Sequence, residues 1–332
     1  MIVRYLFLWF LLMAASVESW CQSPLNDLFA SDSLLHLRLL APLPEFLADR
    51  SENAPGLPAT LFYPEGDSSI RLDCEIEVKG NFRRQPQNCA FPPVKIKFEK
   101  TFLPGTCFEK HRKLKLIPHC TDESYVLREY LAYRMLHELT PYSFQVRLVK
   151  ITYEDVLGRT EPLEKFAFLV EDEDRLAERM GGKLVENQNL SPDSTQKEQT
   201  LLVYLFQYMI GNTDWDVKIE KNIKLIQHNP DTPPVIVPYD FDWSGWVNAP
   251  YTDQYMENFE RRRFAALCRS EAEFAAVFEK FHQARPQLET LLDDFPGLNK
   301  KMLRENQKYL QQFYQDITDP RTVKEKFIRA CR

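Results

Sequence analysis

Two acidic segments in the second half of the chain carry the residue types that chemistry on a phosphate needs. GNTDWDVKIEKNIKLI puts Asp214 in a loop directly after an apolar helix and Asn222 at the start of a strand. VPYDFDWSG ends a second short strand, PVIVP, in Asp240 and Asp242. If NIKLI and PVIVP pair as a hairpin, Asn222 at the beginning of one strand lies beside Asp240 at the end of the other, and their oxygens suit one hard cation. A loop aspartate, an asparagine and a second aspartate in this order have the logic of phosphoryl transfer. The first orients an attacking hydroxyl, and the other two hold magnesium on nucleotide phosphates.

The sequence also offers a lysine and a glutamate for the same chemistry. VKIK at 94–97 resembles the VAIK strand of protein kinases, with Lys97 as the phosphate-binding lysine. Glu129 shares a helical stripe with Tyr125, Ala132, Tyr133 and Leu136, so its carboxylate sits on a mostly aromatic and apolar face and needs a cation. A Lys97–Glu129 pair would supply the strand-to-helix ion pair that a kinase uses. The plainer alternatives are a solvated strand face for Lys95 and Lys97, and a Glu129 paired with Arg128 or Arg134. Loop aspartates such as Asp214 also serve simply to cap helices and bond their own backbone. HRDxxxxN, GxGxxG and APE are absent.

The elements that must position these groups are legible as patterns. IRLDCEIEV alternates strictly from Ile70 to Val78, and VKIKF, KLKLI, FQVRLVKIT and KFAFLV read as further strands. SYVLREYLAYRMLHEL reads as a helix capped by Asp122 and stopped by Thr140-Pro141. QTLLVYLFQYMIG is apolar nearly all round, which implies a helix buried on every side with Gly211 as its cap. NQNLSPDSTQKE reads as an exposed loop, and from about Glu271 onward the pattern is helical. The triplet Arg261 to Arg263 suits either plain surface or a phosphorylated substrate.

Composition narrows the class. The chain has 332 residues, 44% hydrophobic and 27% charged, with a net charge of −6, so nothing electrostatic favours nucleic acid or an anionic membrane as partner. Arg4, the apolar run from Tyr5 to Ala15, and Ser19 and Cys21 make a signal peptide over residues 1–21, cut before Gln22. The run is too short to span a membrane, and Trp20 argues against lipidation of Cys21. Cleavage leaves Cys74, Cys89, Cys107, Cys120, Cys268 and Cys331, an even set that favours disulfides in an exported protein and leaves their pairing open. No CxxC spacing points to a metal.

IGNTDW, Asn222 and VPYDFDWSG resemble the signature segments of the spore coat protein H (CotH) kinase-like family and its exported bacterial relatives. VKGNFRRQ is similar to that family's RGN segment, FPPVKIKF to its lysine-bearing strand, YVLREYLAYRML to the helix after it, and FAFLVEDEDRLAERMGG to the stretch between its lobes. The resemblance implies an α+β, atypical protein-kinase-like fold of two lobes. Residues 22–175 would form an antiparallel sheet lobe with one main helix, and residues 176–332 a mainly helical lobe carrying the catalytic and metal segments. It implies Asp214 as the catalytic aspartate and Asn222 and Asp240 as ligands of magnesium or manganese. Asp242 either assists or only shapes the turn, and Glu171 lies where the base of ATP docks; as residues alone, Glu171 reads as the solvated start of a helix. The expected activity is transfer of phosphate from ATP to a hydroxyl of a protein or glycan outside the cytoplasm. A binding or scaffold protein without turnover is the alternative, since the stretch between Asp214 and Asn222 departs from the family pattern. A glycosidase using Asp214 and Asp240 ranks behind both.

Overall fold

The computed structural model describes residues 27–187, 189–255, 262–293, 295 and 297–329. The expected signal peptide, Cys21, Arg261 and Cys331 lie outside the described residues. Ten strands are described: β1 Leu35–Ala41, β2 Leu57–Glu65, β3 Ser68–Val78, β4 Val94–Phe98, β5 Lys113–Ile117, β6 Val146–Asp155, β7 Leu163–Glu171, β8 Lys183–Val185, β9 Ile223–Gln227 and β10 Val235–Pro238. The helices that matter here are α1 Leu43–Ala48, α2 Glu123–Leu139, α3 Glu173–Arg179, α4 Lys197–Ile210, α5 Pro250–Tyr255, α6 Glu271–Asp293 and α7 Lys300–Thr318.

β1 to β7 form a closed barrel in the order β1-β2-β3-β4-β5-β7-β6. Alternation explains the barrel: Leu37 and Leu39, Leu61, Leu72 and Ile76, Val94 and Ile96, Leu116, Val149 and Ile151, and Leu169 all turn into one core. The closing contact is parallel, with β1 paired to β6 from Leu35↔Val149 to Ala41↔Asp155. This overturns the expected two-lobed kinase-like fold with an antiparallel sheet. The sheet is mixed and closed because β1 and β2, upstream of the alternating run at Ile70, supply the strands that remove its edges.

The second core lies outside the barrel. α2, α4, α6 and α7 pack there with β9 and β10 in one apolar cluster. α2 starts on Asp122, whose side chain accepts from the Ser124 N–H at 2.7 Å, and its inner face packs against β7 and α6. α4 is buried from Gln199 to Ile210 and ends on Gly211 at φ 64°, the left-handed cap that glycine adopts without cost. β10, β9 and β8 make a small separate sheet. Among the described residues no helix is long and apolar enough to cross a membrane.

A disulfide joins Cys89, in the loop after β3, to Cys120, just before α2. Arg50 braces the same loop by donating to the carbonyls of Cys89 at 2.7 Å and Ala90 at 2.5 Å. Cys74 and Cys107 are buried in the barrel, and Cys268 is disulfide-bonded. Closing a loop over a separation of 31 residues restricts the unfolded chain. Replacing Cys89 and Cys120 together by serine is therefore expected to cost about 3 kcal/mol, read as a lower urea midpoint. An unchanged midpoint would mean that Arg50 alone secures the loop.

His119 is buried against Phe91 and Tyr153. Burial, reinforced by Lys165, lowers its pKa from 6.5 to about 4. The folded state therefore binds fewer protons than the unfolded one between those values, and stability is complete above the unfolded pKa and lost as the pH falls toward the folded one. Between about pH 7.5 and about pH 5 the loss is about 2 kcal/mol. Thermal unfolding of the wild type and His119→Phe across this range is expected to show a steeper decline for the wild type; parallel curves would contradict the assignment.

Candidate functional site

The site is built on the open end of the β9–β10 ribbon. The strands pair antiparallel from Ile223↔Pro238 to Ile226↔Val235, and the ladder continues one step as the Tyr239 N–H donates to the Asn222 carbonyl at 3.0 Å. Just there both chains turn into left-handed backbone, Asn222 at φ 52° and Asp240 at φ 61°. A residue with a Cβ enters that region at a cost of about 1 kcal/mol or more, so the surroundings must hold it. For Asp240 the Tyr133 hydroxyl does so, accepting the Asp240 N–H at 2.8 Å.

Asp214 reaches the same end from the other side. After Gly211, the Asn212 side chain accepts the Asp214 N–H at 3.0 Å, and Trp215 packs edge-on against Tyr204 of α4. The Gly245 and Trp246 N–H groups donate to the carbonyls of Gly211 and Ile210 at 3.0 and 2.9 Å, stitching the segment after Asp242 to the end of α4. The Asn222 amide nitrogen donates to the Asp214 carbonyl at 2.6 Å and to its Oδ2 at 3.0 Å, while Lys221 pairs with Oδ1. Hydrogen bonds thus link Asp214 to Asn222 and Asn222 to Tyr239, the residue before Asp240.

Behind Asp240 the carboxylate oxygens of Glu129, Asp240 and Asp242 lie within 4.8 Å of one another. One guanidinium serves all of them. Arg83 is 2.9 Å from Glu129 through Nη1, 2.8 Å from Asp240 Oδ1 through Nη2, and 3.2 Å from Asp242 Oδ2 through Nε. The Tyr251 hydroxyl donates to Asp242 Oδ2 at 2.8 Å. Glu129 and Asp242 are sealed at 1% and 5% side-chain exposure, whereas Asp240 is 29% exposed. Burial pushes Glu129 up to about 7, only partly opposed by Arg83. Burial likewise raises Asp242, with Arg83 opposing and Asp240 adding to the rise. For Asp240 burial acts in the same sense, but Lys115 and Arg83 outweigh it and hold the carboxyl below its ordinary range.

Next to Asp240, and sharing its partners Lys115 and Tyr133, is a cleft of about 300 Å³ lined also by Lys95, Glu171, Lys224 and Tyr239. Lys95 and Lys115 are cross-strand partners on the outer face of the barrel, and the Lys115 ammonium is 3.5 Å from Asp240 Oδ1. The cleft therefore carries cations on its barrel wall together with the acids Glu171, Asp172 and Glu173, and Lys115 links it to Asp240.

Several expected placements need correction. Lys97 does not meet Glu129: it pairs with Glu75 and Glu77 on the neighbouring strand and lies one step farther along the barrel, opposite Lys113. Glu129 takes neither Arg128, which binds Glu305, nor Arg134, which binds Asp32. Glu171 is buried at the end of β7, where its carboxylate accepts from the Gln145 N–H at 2.7 Å and from Arg179. It is neither a solvated helix start nor a side chain free to read a base, although it lines the cleft. Arg262 turns inward onto the carbonyls of Met209 and Tyr309, so the basic triplet is not an open cationic patch there. Arg83 carries no pattern in the sequence that marks it as a site residue. The pair RR in VKGNFRRQ was its only local signal.

The Glu129, Asp240 and Asp242 donor set suits a hard divalent cation, being all carboxylate oxygen. Glu129 and Asp242 already share the Arg83 guanidinium. Among the described residues the Arg83 and Lys115 contacts with Asp240 are both made to Oδ1.

No family model matches the chain, and no curated protein matches it. Among solved structures it is similar to the proinflammatory kinase CtkA of Helicobacter pylori, at 11% identity and a TM-score of 0.42 over 76% of this chain and 97% of that one. A likeness that distant does not extend to activity.

Proposed function

We propose that the chain is an exported, metal-dependent phosphotransferase related to the CotH family, moving phosphate from ATP to a hydroxyl of a protein or glycan. One observation carries the reading: Asp214 is hydrogen-bonded to Asn222, and Asn222 to Tyr239, the residue before Asp240, across the open end of one ribbon, beside a cleft whose barrel wall bears Lys95 and Lys115. The Cys89–Cys120 disulfide agrees with an oxidising compartment.

In this reading Lys95 and Lys115 take the phosphates of the nucleotide, the role first given to Lys97. Asp240 and Asn222 would hold magnesium or manganese. Such an ion, when bound, neutralises charge on the phosphates and orients them. Asp214 accepts the hydroxyl proton of the acceptor as that oxygen bonds to the terminal phosphorus and the bond from phosphorus to the ADP oxygen breaks. Tyr239 and Tyr133 wall the cleft and limit water around the nucleotide.

A second reading, binding without turnover, is favoured by the engagement of Asp214, whose Oδ1 holds Lys221 and whose Oδ2 holds Asn222. Both readings predict magnesium- or manganese-dependent binding of ATP by calorimetry, abolished by Asp240→Asn; wild-type protein that binds no nucleotide would contradict both. Transfer of labelled phosphate separates them, being expected from the first reading alone.

A further inference from the structure

Arg83 lies in the loop between β3 and β4, far in sequence from everything it bonds, with separations of 46 residues to Glu129 and 157 to Asp240. The loop is anchored at every point that matters. The disulfide ties Cys89 to the approach of α2, and Arg50 grips the carbonyls of Cys89 and Ala90. The Asn88 side chain donates to the Phe82 carbonyl at 3.0 Å, and the Phe82 ring packs 4.9 Å from Trp243, which follows Asp242, and 5.1 Å from Tyr251, whose hydroxyl donates to Asp242. Loop and acidic segment therefore interlock through a ring contact as well as through charge.

We propose that Arg83 is the positioning residue for Asp240: it fixes Oδ1 and so sets the direction of the carboxylate beside the cleft, and it does so from a loop stapled just ahead of the helix that bears Glu129. The inference rests on the phosphotransferase reading for its consequence, but the positioning itself does not. A planar fork explains the choice of residue. Nη1 and Nη2 span Glu129, Nη2 also reaches Asp240, and Nε takes Asp242, so one rigid group sets the relative places of all the acids. The ammonium of a lysine is a single point charge and cannot hold that geometry. Asp240 needs the help because its backbone sits at φ 61° and its side chain is the exposed member of the cluster.

The test separates positioning from plain charge balance. Arg83→Lys keeps the charge, and the double variant Arg83→Met with Glu129→Gln removes one cation and one buried anion together. Crystal structures of both are compared with the wild type. Positioning predicts that the Asp240 carboxylate moves by about 1 Å or more, beyond the roughly 0.5 Å a working site tolerates. A carboxylate that stays in place in both variants overturns the proposal, whether or not the protein binds nucleotide. Manganese binding in the presence of ATP, followed by electron paramagnetic resonance, is expected to weaken about 10- to 100-fold in Arg83→Lys. For phosphate transfer kcat is expected to fall by a similar factor while the acceptor KM stays near its wild-type value. Undiminished manganese binding and kcat in Arg83→Lys would also overturn it. A wild type with no nucleotide binding would remove the functional reading alone, leaving the crystallographic arm to decide.

Discussion

Arg83→Met is expected to lower the stability of the chain by about 3–5 kcal/mol. The substitution preserves much of the volume of the side chain but strips the counter-ion from Glu129 and Asp242, both nearly sealed from water, and from Asp240 beside them. Among the described residues Lys115 is the other cation paired with the cluster, and its ion pair is with Asp240. Breaking a buried pair leaves uncompensated charge, which costs far more than the net worth of the intact pair. Adding Glu129→Gln to Arg83→Met removes one of the stranded carboxylates and is expected to restore part of the loss. Equilibrium urea unfolding measures both variants. A single variant as stable as the wild type would mean that the acids of the cluster are protonated and need no cation.

The second large effect concerns chemistry with little effect on the fold. Asp240→Asn is expected to reduce phosphate transfer by at least about 100- to 1000-fold, the scale of losing one key electrostatic contact to the transition state. Its stability should change by only about 1 kcal/mol, because the side chain is part-exposed and Arg83 retains Glu129 and Asp242. Asp214→Asn should lose about 100- to 10,000-fold for want of a base, again without unfolding. Arg83 and Asp240 are 2.8 Å apart, yet their substitutions should separate into a folding defect and a catalytic one. If Asp240→Asn instead melted like Arg83→Met, the exposed acid would be part of the structural cluster and the cleft would lose its ligand.

How far the sequence reveals this arrangement depends on the range of the interaction. Alternation marks β3, β4 and β5, and helical periodicity with Asp122 and Gly211 marks α2 and α4, because each pattern is written in neighbouring residues. The β9–β10 ribbon follows from two short apolar runs around a turn, and it brings Asn222 and Asp240 to one end. Barrel closure is different. LHLRLLA alternates in the same way as its neighbours, but its parallel partner lies more than a hundred residues downstream, and no local pattern names that partner.

The lysines show the same limit. VKIKF and KLKLI each turn two lysines to the outer face, and only the register Lys95↔Lys115 and Lys97↔Lys113 decides which of them meets the cleft. Similarly, the aromatic stripe of α2 reveals that Glu129 needs a cation, whereas the identity of that cation depends on a loop fixed by a disulfide and an aromatic contact. Local chemistry was legible, and long-range pairing was not.

The most direct test is phosphate transfer by the full chain incubated with γ-labelled ATP and either magnesium or manganese, with protein and glycan acceptors and with the chain itself as acceptor. Wild type, Asp214→Asn and Asp240→Asn are run side by side, with circular dichroism to establish that all are folded. Incorporation of label by the wild type and its loss in both variants is the predicted result. No label from folded wild-type protein with either metal, or transfer undiminished in Asp240→Asn, would contradict the phosphotransferase account.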